Sequence, residues 1–134
     1  MGAMDGTFQV GPVHLAWEPR ERLARMYFDG PGADPGSEEA AACIATIEQW
    51  AGSEPFRLLV DCAGLRSTQA GWRSEFASFF KRRGHTDRVA WFNMNPLVDM
   101  MVTMFVRGVG IRGRGFRDEA AARAWLGRDG DARP

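Results

Sequence analysis

Two short, dense apolar runs constrain this chain most: Phe56-Arg-Leu-Leu-Val-Asp-Cys62 and Arg88-Val-Ala-Trp-Phe-Asn93. Each has the length of a strand and too few polar residues for a solvated face, which is the pattern of a central strand covered on both sides. Segments of helical period separate and follow them. Strands alternating with helices imply parallel pairing through right-handed crossovers, and hence an α/β fold.

The helical segments carry their own punctuation. Ser37 is the expected cap of a first helix, with Glu38 and Glu39 at its positive end and Ala40, Cys43, Ile44, Ile47 and Trp50 at helical spacing. Gly52 and Pro55 close it. Ser67 or Thr68 is the expected cap of a second helix, where Trp72, Phe76, Phe79 and Phe80 form an aromatic stripe that ends at Lys81-Arg-Arg-Gly84. Asn95 caps a third helix with Pro96 as its first residue, and Asp118 caps a fourth that carries Ala121, Ala124, Trp125 and Leu126. Ile111–Phe116 is a final short strand.

Upstream, Thr7–Trp17 reads as one edge strand with a bulge or kink at Gly11-Pro12. Leu23–Asp29 alternates, with Ala24, Met26 and Phe28 on one face, so the two runs form an antiparallel hairpin. The predicted order is β-β-α-β-α-β-α-β-α around a mixed five-stranded sheet. With 134 residues the chain is read as a single domain over 7–128. Residues 1–6 are a disordered or cloning-derived start, Met1-Gly-Ala-Met4 having the look of a cloning remnant. Residues 129–134 are a polar tail.

Residues 7–128 resemble the STAS fold, in particular the SpoIIAA-like proteins of bacteria. The resemblance rests on Arg88-Val-Ala-Trp-Phe-Asn93, the apolar helix after it, Gly115-Phe-Arg-Asp-Glu-Ala120 and Ala124-Trp-Leu126. It implies a cytoplasmic regulatory or binding role rather than catalysis. STAS anti-sigma-factor antagonists carry a phosphoacceptor serine in Asp-Ser-x-Gly at the start of the second helix. Here that stretch is Leu65-Arg-Ser-Thr-Gln-Ala-Gly71, and Gln69-Ala70 stands where the serine would fall. Ser67 and Thr68 form a phosphoacceptor-like loop, read first as helix caps.

Other chemistry is sparse. The formal net charge is zero, so no whole-chain field draws nucleic acid or an anionic membrane. Cys43 and Cys62 read as reduced and buried, and with two distant histidines, His14 and His85, they make no zinc pattern. Gly108-Val-Gly-Ile-Arg-Gly113 spells a dinucleotide fingerprint in the wrong context, with a helix before it and a strand after it. Asp61 and Asp87 could approach each other, but no spacing argues for a dyad. No catalytic residue, metal or cofactor is expected, and no run reaches the ~18 residues of a membrane span.

The third helix stands apart. Asp99, Thr103 and Arg107 form one narrow polar stripe at i, i+4, i+8, and nearly everything else on it is apolar. Such a helix is expected to bury almost its whole surface against more than the sheet. The sequence reading is therefore a non-enzymatic, cytoplasmic module that binds a protein partner, itself included, through Met100, Met101, Met104 and Phe105. The alternative is a binder of a lipid or apolar small molecule, in a cavity lined by Met26, Phe28, Trp91 and Phe92.

Overall fold

A computed structural model describes residues 6–128. Ten elements follow in chain order: β1 (Thr7–Val10), β2 (Val13–Glu18), β3 (Leu23–Phe28), α1 (Ser37–Ala51), β4 (Arg57–Asp61), α2 (Ala70–Arg82), β5 (Arg88–Phe92), α3 (Pro96–Val109), β6 (Arg112–Phe116) and α4 (Glu119–Leu126). The terminal segments expected at 1–6 and 129–134 lie outside the described residues, Gly6 excepted.

The strands form one mixed sheet in the order β1-β2-β3-β4-β5-β6. β1, β2 and β3 are antiparallel neighbours, and β3 to β6 run parallel. The sheet therefore has six strands, not the five expected. Gly11-Pro12 is a full reversal rather than a kink: Val10 pairs with Val13 across it, and Gly11 takes a positive φ of 53° that suits glycine.

Because β3 to β6 lie side by side in chain order, right-handed crossovers place α1, α2 and α3 on one face. The main core fills that side, with Val13, Leu15, Met26, Phe28, Leu58, Val60 and Val89 of the sheet against Cys43, Ile47, Trp72, Phe76, Phe79 and Val98. α4 covers the other face through a smaller cluster of Leu23, Leu59, Ala90, Phe92, Ala122 and Leu126. The alternation read in the sequence holds: neighbours along β5, such as Trp91 and Phe92, face opposite layers.

The caps fall partly as expected. Asn95 accepts from the Val98 amide at 2.8 Å and Asp118 from the Ala121 amide at 2.9 Å. Gly36, not Ser37, caps α1, and its amide donates to Glu39. α2 begins after Gln69, and neither Ser67 nor Thr68 caps it. The loop before α2 is held instead by tertiary backbone bonds, from the Arg66 and Ser67 amides to the Ala33 carbonyl and from Gln69 to Pro35.

α3 departs most from expectation. Val98 is its one buried residue. Leu97, Met100 and Met104 remain 44%, 54% and 66% exposed. The helix therefore does not bury nearly everything within this chain. The polar stripe Asp99-Thr103-Arg107 is exposed, as expected.

Candidate functional site

α2 and α3 flank a gap above the sheet, and the side chains that meet there line an open cavity of about 60 Å³. A water needs only ~10–15 Å³ measured in this way, so the space holds several. Met26 and Phe28 of β3, Leu58 and Val60 of β4 and Trp91 of β5 form the floor. Trp72, Phe76 and Phe80 of α2 face Val98, Met101, Val102 and Phe105 of α3 across it.

Local sequence explains why the gap stays open. The aromatic stripe of α2 packs on itself and on Phe28 and Phe56, which anchors that helix toward α1 and the centre of the sheet. α3 leans the other way, over β6. There Trp91 lies against Phe105, ring centres 6.4 Å apart, and both Trp91 and Val106 close on Gly113. A Cβ at Gly113 would sit 2.7 Å from the Trp91 ring and 3.0 Å from Val106 Cγ2, so glycine lets the indole and the helix reach the edge strand.

Thr68 and Arg73 are the two polar members of the lining. Arg73 Nη1 donates to the Thr68 carbonyl at 2.6 Å and to Thr68 Oγ1 at 2.9 Å, and both side chains approach Met101 Sδ, at 3.9 and 3.8 Å. Arg73 is half-buried and ion-pairs with no carboxylate among the described residues.

The structure sorts the residues singled out in the sequence. Met26, Phe28 and Trp91 line the cavity; Phe92 does not, because strand alternation turns it to the α4 layer. Met101 and Phe105 also line it, whereas Met100 and Met104 point to solvent. Thr68 lies on the rim beside Ser67. Sequence reasoning missed Arg73, whose five-residue reach back to Thr68 follows no helical spacing.

Elsewhere, arginines and carboxylates pair across the sheet. Arg25 donates to Asp61 and Glu119, and Arg123 to Glu18 and Glu119, so a network of arginines and carboxylates fills the sheet face that the short α4 leaves uncovered. Hydrogen bonds from Arg25 hold the Glu119 carboxyl down at about 2, and Arg123 lowers Glu18. A folded value below the usual 4.5 stabilises the fold above pH 4.5, and that contribution disappears as pH falls toward 2. Glu119→Gln is expected to flatten the pH dependence of the urea midpoint in that window; an unchanged slope would show that Glu119 does not carry it.

Asp61 and Asp87 do not meet. Asp61 ends β4 and pairs with Arg25, while Asp87 precedes β5 at the opposite end of the strands and pairs with Arg83. His14 pairs with Asp29 and stacks on Tyr27. Burial pushes the Cys43 and Cys62 thiols up to about 12. Among the described residues no group of His, Cys, Asp and Glu could hold a metal, and no helix is long and apolar enough to cross a membrane.

The architecture has a solved counterpart. An uncharacterized protein of the DUF3478 family with a SpoIIAA-like fold, from Shewanella loihica PV-4, superposes with a TM-score of 0.64 over 89% of this chain and 97% of its own, at 15% identity. The chain has a SpoIIAA-like fold. No family model and no curated protein matches the sequence. The mixed sheet has six strands where five were expected, and Gln69, which makes no side-chain cap bond, stands at the start of α2 where the resemblance had pointed to a phosphoacceptor serine.

Proposed function

We propose that this chain is a non-enzymatic, cytoplasmic regulatory module of STAS type that works by protein binding, and that the outer face of α3 docks a second copy of the chain. The observation that carries the reading is the line Leu97, Met100, Met104, at i, i+3, i+7, with all three side chains exposed. Exposed apolar side chains lined up on one helix mark an interaction surface far better than the same residues scattered.

Charge supports a copy of the same chain as the partner. Asp99 and Arg107 lie symmetrically about Thr103 on the flank of that line. An antiparallel α3–α3 contact with its two-fold axis near Thr103 brings Asp99 of each copy to Arg107 of the other, and Met100 close to Met104. Self-complementarity of this kind is what a two-fold interface requires. One helix face per copy gives an area at the low end of specific interfaces, so the association is expected to be reversible, with Kd in the micromolar range.

Met104→Asp tests the surface. Its exposure keeps the expected stability change within about 0.5 kcal/mol. Self-association should be lost, because the carboxylate would be desolvated in the contact. A variant that stays folded by circular dichroism and assembles like wild type would rule the surface out. Met101→Asp is the poorer test, since Met101 lines the cavity.

A second reading, binding of a lipid or another apolar small molecule, is favoured by the cavity between α2 and α3. Its lining is apolar apart from Thr68 and Arg73, and space of that kind suits an apolar ligand.

A further inference from the structure

We infer that the cavity between α2 and α3 takes a monoanionic amphiphile, a medium-chain carboxylic acid, whose chain lies over Trp91 and Phe28 and whose carboxylate pairs with Arg73. The inference rests on the apolar-ligand reading and adds to it a head group and a length.

The head group follows from Arg73. Its Nη1 is fixed by the Thr68 carbonyl and hydroxyl, while Nε and Nη2 make no hydrogen bond among the described residues. A guanidinium held on one edge leaves the other edge as a planar pair of donors, which matches a carboxylate bidentately. Arg73 lies in the first turn of α2, a helix of thirteen residues with no side-chain cap, so the positive end of the helix dipole adds to the same field. Arg73 is also the one charged member of the lining. A single cation neutralises one carboxylate, whereas a dianionic phosphate would remain half unpaired in an otherwise apolar site.

The length follows from the volume. Space for about four to six water-sized spheres takes a chain of about that many carbons, so the rest of a medium chain lies in the open mouth, and a long-chain acid would have to push α3 away from Trp91. The thioether of Met101 sits between chain and head, against Thr68 and Arg73, and is flexible enough to adjust to either.

The test uses octanoate and 1-octanol as probes, with the indole N–H signals of Trp72 and Trp91 in ¹H–¹⁵N spectra as the readout. Both probes should move both signals saturably. Arg73→Gln should weaken octanoate about tenfold or more while leaving octanol within about twofold. Val102→Phe, which fills the cavity from a half-buried position on α3, should abolish both. Indole signals that neither probe moves would remove the apolar-ligand reading itself. Octanol binding with octanoate unbound, or octanoate insensitive to Arg73→Gln, would overturn the carboxylate alone. A loss of both probes in Arg73→Gln would make Arg73 a structural residue and likewise overturn it. Leu97, Met100 and Met104 do not line the cavity, so none of these outcomes bears on the outer face of α3.

Discussion

Asp87→Ala should destabilise the fold by about 3–5 kcal/mol, the cost of removing one partner from a buried ion pair. Asp87 is 1% exposed. Its carboxylate accepts from the Phe56 amide at 3.0 Å and from Arg83 Nε and Nη2 at 2.7 and 3.2 Å. Arg83 in turn donates to the Gly52 and Glu54 carbonyls and covers the Phe56 ring. Alanine would leave a nearly buried guanidinium and a buried amide without their acceptor, and it would untie the end of α2 from the loop between α1 and β4. Asp87→Asn keeps one acceptor and the shape, so it should cost clearly less. Urea denaturation of both variants checks this; equal costs would mean that charge alone, not shape or the remaining acceptor, matters at this site.

Gly64→Ala is the other large effect expected, about 3 kcal/mol or more, at the upper end of overpacking costs. A Cβ there would lie 2.4 Å from the Phe28 carbonyl oxygen and 2.9 Å from the Gly30 nitrogen. Both are backbone atoms, so no rotamer change relieves the clash. The effect should reach the cavity as well, because Leu65 follows directly and Thr68 depends on the same loop, tied to the strand end through Ala33 and Gly64. Thermal unfolding gives the stability change, and the Trp72 and Trp91 indole signals report the cavity. A variant as stable as wild type would show that the loop shifts freely.

Much of this was legible in the residues. Phe56–Cys62 and Arg88–Asn93 announced buried parallel strands, Asn95-Pro96 and Asp118 announced helix starts, and the alternation of Ala24, Met26 and Phe28 announced a sheet face. The misses have physical causes. Proline at position 12 suggested a kink, but a two-residue turn needs positive φ at Gly11 and tolerates a proline that donates no bond there. Ser67 and Thr68 have the chemistry of caps, yet tertiary bonds to Ala33 and Pro35 fix that loop and move the helix start to Gln69. Trp91 and Phe92 could not both line one cavity, since successive strand residues face opposite sides; the parity was there to be read. Arg73 carried no signal, because its contact with Thr68 depends on how the loop closes. The composition of α3 called for a neighbour, and the fold supplies one along Val98, Phe105 and Val106 while leaving Leu97, Met100 and Met104 open.

The central claim is that α3 docks on α3 of a second copy in antiparallel fashion, and charge reversal tests it most directly. Sedimentation at tens of micromolar should give wild type a mass approaching twice 14.9 kDa. Asp99→Arg and Arg107→Asp, each alone, turn two symmetry-related attractions into repulsions. Each should weaken dimerisation about tenfold or more, and the double reversal should restore it. A wild type that stays at 14.9 kDa, or a double variant no better than either single one, would contradict the claim.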